Sequence, residues 1–221
     1  MAVETNLFLG PLSIYRNAVG RTVIALAFLA AVAMSAPSEA HGPAPDVPPP
    51  PPNMAALFGG PFSLIDHDGS PRTDRDYSGR FLLISFGYTH CPDICPLDLS
   101  TMAAALELLG PTGEPVQPIF ITIDPARDKP AVLKEYVLNF HPRLIGLSGS
   151  ERQISRVAKA YRVHRSKIIV EDAPPGNYLA NHSSLTYLMG RNGDFVTMFP
   201  HGTAPRFMAD AIRRHILRLT P

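Results

Sequence analysis

An apolar run, Phe81-Leu82-Leu83-Ile84-Ser85-Phe86, leads into Tyr88-Thr89-His90-Cys91-Pro92-Asp93-Ile94-Cys95-Pro96, which holds the only two cysteines of the chain. A helix-like run from Leu97 to Leu109 follows and is closed by Gly110. A nearly continuous apolar stretch from Phe81 to Tyr88 reads as a central strand covered on both faces. The chain therefore needs layers of structure on either side of a sheet. Two thiols at a strand-to-helix junction can exchange electrons as a dithiol/disulfide pair, or hold a soft metal ion.

The remaining pattern agrees with such a layered fold. Phe62 to Ile65 reads as a strand ending in the turn Asp66-His67-Asp68-Gly69. Leu99, Met102, Leu106 and Leu109 keep helical spacing. Ile119 to Ile123 and Leu144 to Leu147 read as buried strands, and Pro130 to Phe140 as a helix with proline in its first turn. Ser150-Glu151-Arg152-Gln153 is a capping box opening a helix to about Tyr161. Leu185 to Met189 and Phe195 to Phe199 flank Gly190-Arg191-Asn192-Gly193, a hairpin, and Pro205 to Leu219 reads as a last helix. The expectation is an α/β sandwich with a mixed central sheet, flanking helices and an added hairpin. With cysteines after the first central strand it resembles a thioredoxin-like fold. The thioredoxin redox motif has two residues between its cysteines, and this chain has three.

The chain has 221 residues, 45% of them apolar, and a formal net charge of +1. No basic cluster stands out, which argues against nucleic acid as a partner. Arg16 and Arg21 precede an uncharged stretch from Thr22 to Pro37. That stretch is short for a membrane span of about 20 residues. Ser38-Glu39-Ala40 has the small-x-small form of a signal-peptidase site, so residues 1–40 read as a signal peptide cleaved after Ala40, or else as an N-terminal membrane anchor through residues 22–37. Both readings send the rest outward, into a bacterial periplasm or an equivalent membrane-facing compartment. Cysteines there tend to pair, and keeping them reduced needs a thiol reductant. Residues 41–56, with five prolines from Pro48 to Pro52, read as a stiff linker. Residues 57–221 read as one domain.

Cysteines at i and i+4 can converge on one point, and a helix N-terminus favours their thiolates. A structural zinc site would want four protein ligands. Two thiolates plus one imidazole form a three-coordinate set, and soft thiolates select copper(I). The chain has eight histidines. His41, His67, His141, His164, His201 and His215 sit where solvated or capping histidines are ordinary. His90 adjoins Cys91, and side chains of strand neighbours point oppositely, so it is expected to order the loop. His182, in the segment Gly176 to Ser184 before the strand Leu185 to Met189, reads as a loop residue that could face the cysteines. The residues alone leave its role open. Asp124 ends a strand on the edge where the cysteine loop begins, which would put it near the site; it is expected first as a turn residue before Pro125, with Arg127 and Asp128 as a solvated pair or helix cap. Asp93 is expected first as a helix cap, and only secondarily as a tuner of the site.

In combination, Gly87 to Pro96, Ile123-Asp124-Pro125-Ala126-Arg127-Asp128, Asn181-His182-Ser183, Tyr187-Leu188 and Gly193-Asp194-Phe195 resemble the Sco/SenC family. The match runs in order from about Phe62 to the last helix. The resemblance implies a thioredoxin-like fold, one bound copper ion, Cu(I) or Cu(II), and the ligands Cys91, Cys95 and His182. It also implies delivery of copper to the binuclear copper site of cytochrome c oxidase, with the copper-bearing oxidase subunit as acceptor and an upstream copper donor or a periplasmic thiol reductant as the other partner. Asn181 stands where the family often has Asp, and Arg191-Asn192 where it often has a Pro-containing turn. Neither removes a ligand. The competing reading is a thiol–disulfide oxidoreductase that reduces the acceptor's cysteines through Cys91 and Cys95. Two other readings fit less well. A peroxiredoxin wants a differently placed threonine than Thr89, and an electron-transfer copper subunit wants a histidine where Leu99 stands.

Overall fold

Strand β3 (Phe81–Gly87) is buried at every position. Its alternate side chains serve two different cores. Phe81 and Leu83 point into a cluster with Leu99, Leu106, Leu133, Val137, Met208 and Ile212. Leu82, Ile84 and Phe86 point into another with Phe62, Ile154, Val157, Tyr161 and Tyr187. Burying one such side chain contributes about 1.5–3 kcal/mol, so the strand is specified from both faces. A computed structural model describes residues 56–169 and 178–218 of the chain. The expected signal or anchor segment (1–40) and, apart from Ala56, the linker (41–56) lie outside the described residues. Among the described residues no helix is long and apolar enough to cross a membrane.

Around β3 stand β1 (Ser63–Asp66), β2 (Pro71–Thr73), β4 (Val116–Thr122), β5 (Ile145–Ser148), β8 (Leu185–Met189) and β9 (Phe195–Pro200), in a seven-stranded sheet ordered β2-β1-β5-β4-β3-β8-β9. β3, β4 and β5 run parallel, and the outer strands pair antiparallel. The sheet is mixed, as expected. Helices α1 (Ile94–Leu109), α2 (Pro130–Leu138) and α4 (Pro205–Arg218) supply one core, and α3 (Glu151–Ala160) packs on the other face. Pro130 opens α2 as expected. Ser150 and Gln153 form the capping box of α3, with the Gln153 N–H donating to Ser150 Oγ at 3.3 Å.

Besides the short strand β2, which the sequence does not announce, the structure departs from expectation in two regions. α1 starts at Ile94, not Leu97. Pro96 is the third residue of the helix, where a backbone N–H would have no intrahelical partner, so its missing donor costs nothing. The segment expected as a loop around His182 forms strand β7 (Tyr178–His182), which pairs antiparallel with β6 (Arg165–Ile169) as a separate two-stranded sheet. Both strands are mostly exposed or half-buried, so their apolar alternation is weak and periodicity did not reveal them.

Candidate metal centre

The parallel strands β3 and β4 end side by side, Gly87 opposite Thr122. Loops at the carboxyl ends of parallel strands are where open α/β sheets build their sites. After Gly87 the chain turns, with the Cys91 N–H donating to the Tyr88 carbonyl at 3.1 Å. Cys91 is half-buried in the loop, and Cys95 lies buried in the first turn of α1. The Cys95 N–H donates to Cys91 Sγ at 3.4 Å. An N–H at a helix start that points at sulfur favours thiolate.

His182 is the last residue of β7, paired with Arg165. Its Nε2 lies 3.3 Å from Cys95 Sγ, and its Nδ1 lies 3.1 Å from the Ser183 carbonyl oxygen. A carbonyl only accepts, so Nδ1 carries the proton and Nε2 keeps its lone pair toward the sulfurs. One ligand atom each from Cys91, Cys95 and His182 lies within 4.8 Å of the other two. Among the described residues this is the one cluster of three or more His, Cys, Asp or Glu placed to hold a metal ion. Two thiols and an imidazole are a soft donor set of the kind copper(I) takes. The cysteines are not joined in a disulfide. The neighbouring Cys95 thiol holds the Cys91 sulfur well below the usual thiol range, helped by the N–H groups of Cys95 and Asp93 against the opposing effect of burial. The same pairing, with burial, pushes the Cys95 thiol up.

Tyr88 braces the imidazole. Its buried ring meets His182 edge-on, centroids 6.1 Å apart, and its hydroxyl accepts the Ala180 N–H at 3.2 Å. The acidic residues are not where the sequence reading put them. Asp124 opens a turn as expected but is buried, and accepts from the Tyr178 hydroxyl at 2.6 Å and from Arg127 Nε; the pair expected to be solvated is not, since Asp128 is buried too. Asp128 is fully buried and accepts from the Thr122 hydroxyl (2.6 Å), the Thr89 hydroxyl (2.6 Å) and the Thr89 N–H (3.1 Å). It ties the cysteine loop to the end of β4. Asp93 holds the N-cap position of α1, yet its side chain makes no capping bond. His90 is exposed, with Nδ1 3.1 Å from the Thr89 hydroxyl, and stands outside the ligand cluster. His67 and His141 accept backbone N–H groups, and His201 pairs with Asp98 at 2.7 Å. His41 lies outside the described residues.

The supporting roles of Tyr88, Thr89, Arg127 and Tyr178 around the site are not legible in the sequence. A strand assignment for residues 178–182 would have exposed Tyr178, because residues i and i+4 of a strand share a face.

The SCO1/SenC family model matches residues 50–217. Protein sco1 of Schizosaccharomyces pombe is 44% identical over 161 residues, 72% of this chain and 61% of its own length. The mitochondrial SCO2 homolog of Bos taurus is 41% identical over 165 residues, 74% of this chain and 61% of its own length. The chain thus spans under two thirds of these relatives. Arabidopsis thaliana ScoI with copper bound superposes with a TM-score of 0.68 at 41% identity, over 73% of this chain and 99% of that one. Bradyrhizobium japonicum ScoI with copper bound gives 0.65 at 42%, over 72% and 99%. With the layered fold and the cluster of two thiols and one imidazole in place, this chain belongs to the SCO1/SenC family.

Proposed function

We propose that this chain is an exported copper metallochaperone. It takes one copper ion as cargo on Cys91, Cys95 and His182 and passes it to the binuclear copper site of cytochrome c oxidase. The observation that carries this reading is the convergence of two thiols and one imidazole within 4.8 Å at the carboxyl end of the sheet. Copper-bound structures of similar proteins support the choice of metal. Three protein ligands leave the ion open to a fourth from an acceptor, and Cys91 is only half-buried. A site of this kind can bind and still release. Export and cleavage after Ala40, or anchoring through residues 22–37, belong to the same proposal.

The test is a titration of the reduced protein with copper(I) against a competing chelator, without oxygen, alongside His182→Ala and Cys95→Ala. One tight equivalent, lost in both variants, is the expected result. Binding that ignores His182 overturns the ligand set.

A second reading, reduction of the acceptor's cysteines by Cys91 and Cys95, is favoured by one observation. Both thiols are free, and the Cys95 N–H donates to Cys91 Sγ at 3.4 Å at the start of α1, an arrangement that lowers the Cys91 pKa. A low thiol pKa makes a ready thiolate. His182→Ala separates the two: it abolishes tight copper retention, leaving only the weaker affinity of two thiolates, and leaves disulfide exchange largely intact.

A further inference from the structure

His182 stands on a sheet of its own. β6 and β7 pair only with each other among the described residues; the chain re-enters the main sheet at Leu185, three residues after His182, which tethers the imidazole's end of β7 but leaves the orientation of that strand to other contacts. Side-chain contacts set that orientation. Along β7 the residues Tyr178, Ala180 and His182 are less exposed than Leu179 and Asn181 between them, as expected of one inward face with period two. Each makes a different contact with the segments that follow β3 and β4. His182 meets Cys95, and the Ala180 N–H meets the Tyr88 hydroxyl. At the far end Tyr178 is held from three directions. Its hydroxyl donates to Asp124 Oδ1 at 2.6 Å, its carbonyl accepts from Arg127 Nη1 at 3.0 Å, and the Arg127 guanidinium lies 3.7 Å from its ring centroid. Asp124 in turn accepts from Arg127 Nε. A buried carboxylate, a planar cation and an aromatic ring form a closed unit, of the strong charge-assisted kind.

The geometry points to Tyr178, Asp124 and Arg127 as positioning residues for the imidazole. They clamp the far end of β7 so that its near end presents Nε2 to the sulfurs. The inference rests on the copper reading above. Groups that orient a ligand from outside the coordination shell change metal affinity by about 10–100-fold when removed, and a clamp four residues away is expected at the lower end.

The experiment is a double-mutant cycle on the full chain, read by copper(I) affinity in chelator competition. Tyr178→Phe keeps the ring over Arg127 and deletes only the hydroxyl. It is expected to weaken affinity by about tenfold, and Asp124→Asn, which keeps a hydrogen-bonding side chain, by a similar factor. In a His182→Ala background the residual, weaker copper(I) affinity of the two thiolates is expected to be the same with and without Tyr178→Phe, because its only route to the metal is gone. A second readout is the nitrogen hyperfine coupling of the copper(II)-loaded protein, expected to weaken in Tyr178→Phe. Affinity unchanged in Tyr178→Phe, or lowered equally with and without His182, overturns the positioning role. Affinity indifferent to His182→Ala alone overturns the ligand set and the clamp with it, and that single variant reports this failure separately.

Discussion

Gly87 shows how closely single residues are fitted at this site. A Cβ there would fall 2.7 Å from Cys95 Sγ and 2.8 Å from a Phe120 ring carbon. Such overpacking costs about 1–3 kcal/mol. Gly87→Ala is therefore expected to lower the urea midpoint and to weaken copper(I) binding, since the sulfur is the atom that must yield. A variant that unfolds at the same midpoint and titrates like the parent would show that the cysteine has room. Asp128 makes a prediction of a different kind. Burial outweighs its hydroxyl and N–H donors and raises its pKa above the ordinary 3.8. The folded state then holds this proton to higher pH than the unfolded state does. Its contribution to stability is therefore present near and below the ordinary carboxylate value and lost as pH rises through the raised one. Urea unfolding of parent and Asp128→Asn from about pH 4 to about pH 7 checks it: the parent's stability relative to the variant is expected to fall as pH rises. A flat difference would mean that Asp128 ionises normally. Cysteine spacing announced the thiols, but nothing in Asp124-Pro125-Ala126-Arg127-Asp128 announced burial. Whether a carboxylate is solvated depends on what covers it, and here the cover comes from residues far away in the chain.

Elements with strong local signals were legible, and those without were not. The capping box of α3 was visible as Ser150 and Gln153. Ser150→Ala is expected to cost about 1 kcal/mol in chemical denaturation and to leave copper stoichiometry at one equivalent. A loss of copper in that variant would mean that the cap supports the site. α1 was placed three residues late because Pro96 reads as a boundary, whereas proline is harmless in a first turn. β6 and β7 were missed for the opposite reason, too little signal. Leu179 and Asn181 alternate with half-buried neighbours, yet Arg165-Ser166-Lys167 carries no apolar face to mark its partner.

For the whole molecule, the two proposed roles of the cysteine pair exclude one another. A Cys91–Cys95 disulfide would consume both thiolates, leaving His182 as the only remaining member of the ligand cluster. Oxidised protein, with its thiols counted, is expected to retain well under one copper per chain, and reduction is expected to restore binding. Full stoichiometry in the oxidised form would remove the cysteines from the site.

The sequence by itself determined the layered α/β class, the central position of β3 and the thiol pair at its end, because periodicity and spacing are local properties. It also singled out His182 through resemblance, while its residues alone left that histidine open among eight. Only the tertiary structure decided that Nε2 of His182 lies 3.3 Å from Cys95 Sγ, and that Asp124 holds the end of β7 and Asp128 the cysteine loop. Those facts rest on contacts between residues tens of positions apart, which form only when the ends of β3 and β4 and the β6–β7 hairpin meet.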